Sequence, residues 1–524
     1  MKRAAWAVLA LSASPLLAGS SVVGSRAALA TSSPYATRAG LDVLKRGGNA
    51  ADAAVAAAFA LAVANPQSGL GGGGFLTYYD AASGAVWTLD FRETAPAAIK
   101  PGILGPKASG PITAGVPGTV AGLAAMHERF GARPWSELLA PAIHLARDGV
   151  PVSADLASDI ARAKSERSLD PYPGLPAGST LTQKDLAATL ERIATKGASD
   201  FYVGDVARQM VDALRKAGGI VGTRDLREYK PVWRAPIRIS YREYDVYAPA
   251  PPSAAGVMIG ETLNILRGYE LSESAKTIHL LLEATRRAAI DRDKYVADPD
   301  VRRVPYRELL SAERAQQWRS SIDPLRATPT ATLGELATAV AEGKHTTHFT
   351  IVDGQDNIAS VTMSLGDDFG GGFLVPGCGF FLNDSMSDFG SDATAANSVQ
   401  TGKRMASSMA PTIIFRKGKP YLALGSSGGP AIPNIVLQVF LQLAVVGKSI
   451  DEAIASPRYD QQPRPEDVVY EIARAPDAVI GQLRAMGHGV RPQAGLGEVN
   501  AVLIERPKIT AVADPRRGGA AGAF

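Results

Sequence analysis

Cysteine is almost absent from this chain of 524 residues: Cys378 is the only one. No intramolecular disulfide can form, and no cysteine-based metal site can be built. The flanks of Cys378, Gly377 and Gly379, form no motif that links a thiol to a histidine. Histidine is scarce too. The six, at 127, 144, 279, 345, 348 and 488, show no metal-ligand spacing, so neither a metal nor another cofactor is expected. The formal net charge is only +4, and no long run of Lys or Arg occurs. A nucleic-acid partner is therefore not indicated. Internal repeats and long low-complexity linkers are missing. Apolar runs are short: "AAVAAAFALAVA", Ala53 to Ala64, is too brief and too alanine-rich to span a membrane and reads as a buried helix ended by Asn65-Pro66.

What the chain does contain is ample core material, with 46% hydrophobic residues. Its first residues pair Lys2 and Arg3 with an apolar stretch, Ala4 to Leu17, followed by small residues. That is the pattern of a cleaved signal peptide over about residues 1–20, and it predicts export to the periplasm or the extracellular space with no stable membrane anchor. Two helices are predicted between Thr37 and Ala64, the second capped by Asn49. The turn "SGLGGGGF", Ser68 to Phe75, lacks the lysine and threonine of a phosphate-binding loop and precedes a strand, so its glycines predict close backbone packing. Residues 115–230 read as mainly helical. From residue 346 strands dominate. "GQDN", 354–357, predicts a hairpin that brings Ser364 beside Thr346.

That hairpin begins with His345-Thr346-Thr347-His348. Threonine suits strands and histidine suits strand ends, so a purely structural origin is available. The chemical reading is that the chain is cut before Thr346. A free α-amine, with a pKa of about 7.7–8.0, could then take the proton of the threonine's own hydroxyl. Ser364 would hold that hydroxyl in line. Gly428 and Gly429 in "GSSGGP" would supply backbone N–H groups for an oxyanion. A rival uses the same stretch: Gly425-Ser426-Ser427-Gly428-Gly429 matches G-x-S-x-G, with Asp460 and His488 following in the order of a serine hydrolase triad. Against it, the spacings are short, and Pro430 and Pro433 resist the helix that should follow such an elbow.

"HTTHFTIVD", "NDSMSDF", "GKRMASSMAPTIIF" and "LGSSGGP" resemble the γ-glutamyltransferase (glutathione hydrolase) family. So do "GGNAADAAVA", "NPQSGLGGGGF", "DFRETAP" and "EATRRAAIDRDKYVADPD", in the family's order. The resemblance implies an α+β fold, the four-layer αββα sandwich of N-terminal nucleophile hydrolases. It implies one precursor cut between His345 and Thr346 into a large subunit, 21–345, and a small catalytic subunit, 346–524, that stay in one folded unit. It makes Thr346 the nucleophile, with Ser364 beside it and Gly428 and Gly429 as the oxyanion-hole glycines. Arg92, Ser407 and Ser408 would bind the substrate α-carboxylate, and Asp388 its α-ammonium. The donor would be glutathione or a related γ-glutamyl compound, and the acceptor water, an amino acid or a peptide. Gly366 and Ser385 stand where well-known members carry amide side chains, and the segment 389–403 is shorter than in members with a lid. Those departures keep a glutaryl or cephalosporin-type acylase open as an alternative. A non-catalytic binding relative is a further one.

Overall fold

The computed structural model describes residues 21–524 apart from 101, 105–107, 167–173, 335, 337–341 and 344. The proposed signal segment lies outside the described residues. Near the start of the described chain, Asn49 and Asp52 exchange side-chain-to-backbone hydrogen bonds, and this capping box launches the helix Ala50–Ala64. Its residues 50–63 are all buried, because alanine lets the helix lie close to the Pro34–Lys45 helix and to the sheet beneath. Asn65 and Pro66 end it, as the sequence predicts.

Two seven-stranded antiparallel sheets form the two inner layers. In order across the first are Ala520–Ala523, Ala28–Thr31, His345–Val352, Ile358–Gly366, Gly73–Asp80, Ala85–Asp90 and Val232–Arg234. The second runs Ser21–Gly24, Lys508–Ala513, Val499–Glu505, Lys419–Ser426, Thr412–Arg416, Tyr244–Ala248 and Ile237–Tyr241. Between the sheets lie Val352, Ile358, Ile413, Ala423, Val502 and Ala511. On the outer face of the first sheet, Phe349, Ile351, Val361 and Met363 pack under the Ala50–Ala64 helix. On the outer face of the second, Leu422, Leu424 and Ala501 pack under the helices Ala255–Leu266, Ala275–Tyr295 and Ile432–Leu441. This is the expected αββα order. The apolar helical run Gly429–Val446 is long enough to cross a bilayer, but 72% of it is buried in this packing, as a core helix would be.

Strand alternation decides which side chains meet the second sheet. Ile358, Ser360, Thr362 and Ser364 face inward while Ala359, Val361 and Met363 face the helices. The inward face is therefore polar toward its Ser364 end. Ser360 bonds the Leu424 carbonyl, and Thr362 bonds His348. The glycine turn works by close approach: a Cβ at Gly72 or Gly74 would collide with the backbone oxygen of Ser364 or Thr362.

His348 is a core residue, with Nδ1 2.9 Å from Thr362 Oγ1 and Nε2 2.8 Å from Thr350 Oγ1. Burial pushes its pKa down to about 3. The folded ring is thus neutral, whereas the unfolded ring takes a proton below about pH 6.5. The stability its neutral form contributes is complete above that pH and is lost as pH falls towards 3, at about 1.4 kcal/mol per pH unit. Denaturant unfolding at pH 7 and pH 5 should show the native chain losing roughly 2 kcal/mol more than His348→Gln on acidification. Equal losses would mean that His348 is not the group that titrates.

Candidate active site

The hairpin register pairs Thr346 with Ser364 and His345 with Gly366, so the ladder slips by one residue between His345 and Thr346. A bulge re-aims the side chains around it. Ser364 Oγ donates to the His345 carbonyl oxygen at 2.8 Å and accepts from Gly366 N at 2.9 Å. Thr346 Oγ1 lies 3.4 Å from the same Ser364 oxygen. One hydroxyl therefore touches both the carbonyl of the 345–346 peptide and the threonine that follows it. The His345 ring is fixed separately, its Nδ1 2.7 Å from Asp368 Oδ1, and Asp368 also takes bonds from Gln67 and Arg162.

Thr346 opens onto a cleft of about 840 Å³ that Ser427, Gly428 and Glu498 also line. Gly428 and Gly429 adopt φ of 128° and 58°, backbone that favours glycine. Glu498 is buried, and desolvation pushes its carboxyl up to about 7.

A second cluster is buried. Arg92 pairs with Asp388 and, at 2.9 Å, with Glu93 Oε2. Ser385 Oγ links the group, 3.3 Å from Arg92 Nη1 and donating to Glu93 Oε1 at 3.0 Å. Burial raises the Glu93 and Asp388 carboxyls above the ordinary carboxylate range, against the pull of Arg92. The carboxylates of Glu342, Asp384 and Glu93 push Asp388 up further. Acidic groups thus outnumber the guanidinium they surround.

Ser408 carries a carboxylate already. Its N–H donates to Glu342 Oε2 at 2.8 Å and its Oγ to Glu342 Oε1 at 2.7 Å. Burial raises the Glu342 carboxyl, while Arg292, Ser408 and Arg92 oppose that shift. Ser407 is committed to the turn instead: its Oγ accepts from Met409 N at 3.2 Å. Between the two clusters passes Gly343. A Cβ there would collide with the Gly366 carbonyl, and the Gly343 oxygen lies against the Cβ direction of Gly429. Gly343→Ala should therefore shift the chain at Gly343 and should slow the proposed cut at 345–346 by at least about tenfold, since an ångström of misplacement costs that or more. A gel time course of precursor loss measures it, and an unchanged rate would refute the tight passage.

The structure brings together Thr346, Ser364, His345 and Gly428 at the cleft, and Arg92 with Asp388 in the buried cluster. Sequence reasoning missed Glu93 and Arg292, although they lie inside "DFRE" and "EATRRAAIDRDKYVADPD", and also Glu342, for which no spacing or motif gave a signal. Two expectations need correction. Gly366 stands where well-known members carry an amide, but its place is not open: it sits at φ 97°, and a Cβ there would meet Asp384 Oδ1, so the Asp384 carboxylate occupies that space. The prolines do not prevent a helix after "GSSGG" either. Gly429–Ala431 is a 3₁₀ turn and Ile432–Leu441 an α-helix, with Pro430 and Pro433 in first turns, where no N–H is needed. The serine triad fails on contacts. Asp460 accepts from Asn434 at 3.0 Å and from Gln462 at 2.9 Å, while His488 Nε2 lies 2.8 Å from His279 Nδ1. Neither reaches Ser427. The shortened 389–403 segment is tied down, Lys403 Nζ bonding the carbonyls of Ala396 and Ser398 and Asn397 Nδ2 that of Asp388.

Folding also gathers His279, Glu283 and His488, which their spacing does not reveal. The donor set does not fit a cation. Arg286 and Arg287 occupy both Glu283 oxygens. His279 Nε2 donates to the Asp323 carbonyl at 2.9 Å, and its Nδ1 is taken up by His488 Nε2 at 2.8 Å, so neither nitrogen of that ring is free for an ion.

Two antiparallel sheets face to face between helical layers, with a threonine at a bulge where a central strand begins, define an N-terminal nucleophile hydrolase. The γ-glutamyltranspeptidase family model matches residues 36–524. The glutathione hydrolase proenzyme of Pseudomonas aeruginosa is 38% identical, over 94% of this chain and 93% of that one. The acylase ACY 1 proenzyme of a Pseudomonas species is 35% identical, over 91% and 90%. Among solved structures, the cephalosporin acylase from Bacillus halodurans superposes with a TM-score of 0.87 at 29% identity, over 99% of both chains. The chain belongs to the γ-glutamyltranspeptidase family and is an enzyme of that family.

Proposed function

We propose that this protein is an exported, self-processing γ-glutamyl hydrolase and transferase acting on glutathione and related γ-glutamyl amides. The observation that carries the choice of substrate is the buried cluster in which Glu93 and Asp388 outnumber Arg92. An amino-acid head group brings an ammonium to that excess of acid, while a glutaryl group brings only another carboxylate. The acylase reading is weaker for this reason. Arg92 and Ser408 would read the α-carboxylate, with Ser407 shaping the turn, and Asp388 the α-ammonium.

Two steps use one hydroxyl. In the precursor, Thr346 Oγ1 attacks the His345 carbonyl carbon. Ser364 polarises that carbonyl through its 2.8 Å hydrogen bond. The C–N bond breaks, the threonine nitrogen takes the proton, and water opens the resulting ester. The products are residues up to 345 and residues 346–524. The freed α-amine then accepts the Thr346 hydroxyl proton as Oγ1 attacks the γ-carbonyl of the donor. Gly428 and Gly429 N–H groups receive the oxyanion. The leaving amine departs with the proton, and water or an amino acid or peptide amine takes the γ-glutamyl group from Thr346.

The test is hydrolysis of a γ-glutamyl anilide and its glutaryl analogue by the matured protein. A kcat/KM ratio of at least about ten in favour of the γ-glutamyl donor is expected from one buried ammonium contact. A ratio below one would favour the acylase.

A further inference from the structure

Glu342 lies four residues before Thr346, yet its carboxylate occupies a seat built by another part of the chain. The seat is bidentate: one oxygen takes a backbone N–H and the other a hydroxyl, both from buried Ser408. The same pair of charge-assisted donors can hold a free carboxylate ligand. The nearby charge suits the same ligand, since Arg292 and Arg92 both favour the ionised Glu342. Arg292 is itself buried, pairs with Asp293, and keeps Nη1 without a partner. Glu342 is also at the start of a threaded segment, because Gly343 runs between Gly366 and Gly429 before the chain reaches His345.

We propose that Glu342 is a built-in ligand of the carboxylate seat, standing in for the substrate α-carboxylate and keeping the uncut chain closed to amino-acid ligands until cleavage releases it. The inference rests on the reading of Ser408 as the carboxylate subsite. Before the cut, Glu342 is held by Ser408 and His345 by the central strand. After it, that stretch of chain ends in a free terminus, and Glu342 competes as a tail with whatever carboxylate arrives. An occupied seat weakens apparent affinity in proportion to the fraction of time it is free.

Thr346→Ala supplies the uncut chain, and calorimetric titration with L-glutamate supplies the readout. Thr346→Ala/Glu342→Ala, and the isosteric Thr346→Ala/Glu342→Gln, should each bind L-glutamate at least about tenfold more tightly than Thr346→Ala alone. An affinity unchanged in whichever double variant is folded overturns the proposal. Matured Ser408→Ala separates this failure from failure of the subsite itself. An unchanged KM for the γ-glutamyl anilide there removes Ser408 from carboxylate recognition and the proposal with it. A raised KM, together with unchanged glutamate binding by the uncut chains, overturns the role of Glu342 alone.

Discussion

Thr346→Ala should leave one uncut chain and abolish amide hydrolysis. The same hydroxyl is needed twice, to break the 345–346 peptide and to attack the donor, so its loss removes both events together. Ser364, 2.8 Å from the His345 carbonyl oxygen, can polarise that bond but has no α-amine to activate it for turnover. Thr346→Ser keeps the oxygen and should still mature, more slowly, because serine lacks the methyl group that restricts χ1. Intact mass and a γ-glutamyl anilide assay measure the two outcomes. Scission of Thr346→Ala at the same peptide would refute a threonine-driven cut.

Asp388→Asn should separate donors by their charge. Asp388 is buried beside Arg92, so the change removes a charge while keeping the volume. Losing a hydrogen bond to a charged group costs about 1.5–3 kcal/mol, roughly 10- to 150-fold in kcat/KM for a γ-glutamyl donor. A glutaryl donor has no ammonium to lose. It should change by less than about threefold, through the slackened hold on Arg92. Equal losses on both donors would reduce Asp388 to a support for Arg92.

The hairpin was legible because its turn, its alternation and its threonines all agree on one register, and the structure pairs Thr346 with Ser364 as expected. The two helices expected between Thr37 and Ala64 were legible as well, the second from its Asn49 cap, although the first begins earlier, at Pro34 behind a Ser33 cap. Gly366 was not, since a positive φ and an intruding Asp384 side chain arise from a strand end meeting a loop far along the chain. Glu342 was invisible for a related reason. Its partner Ser408 is 66 residues away, and nothing in local periodicity encodes such a meeting. The helix after Gly429 shows a different failure: proline was read as a breaker when its place in the first turn made it harmless.

The first sheet interleaves the two parts of the chain. Ala28–Thr31, from the part before the proposed cut, lies between Ala520–Ala523 and His345–Val352, while Gly73–Asp80 borders Ile358–Gly366. Neither part owns a complete sheet, and each alone would expose unpaired strand edges. The proposed division at 345–346 would therefore split sheets that the two parts complete only together. Pieces made separately would each carry such edges until they met, so the proposed scheme favours one chain that is cut after it has folded.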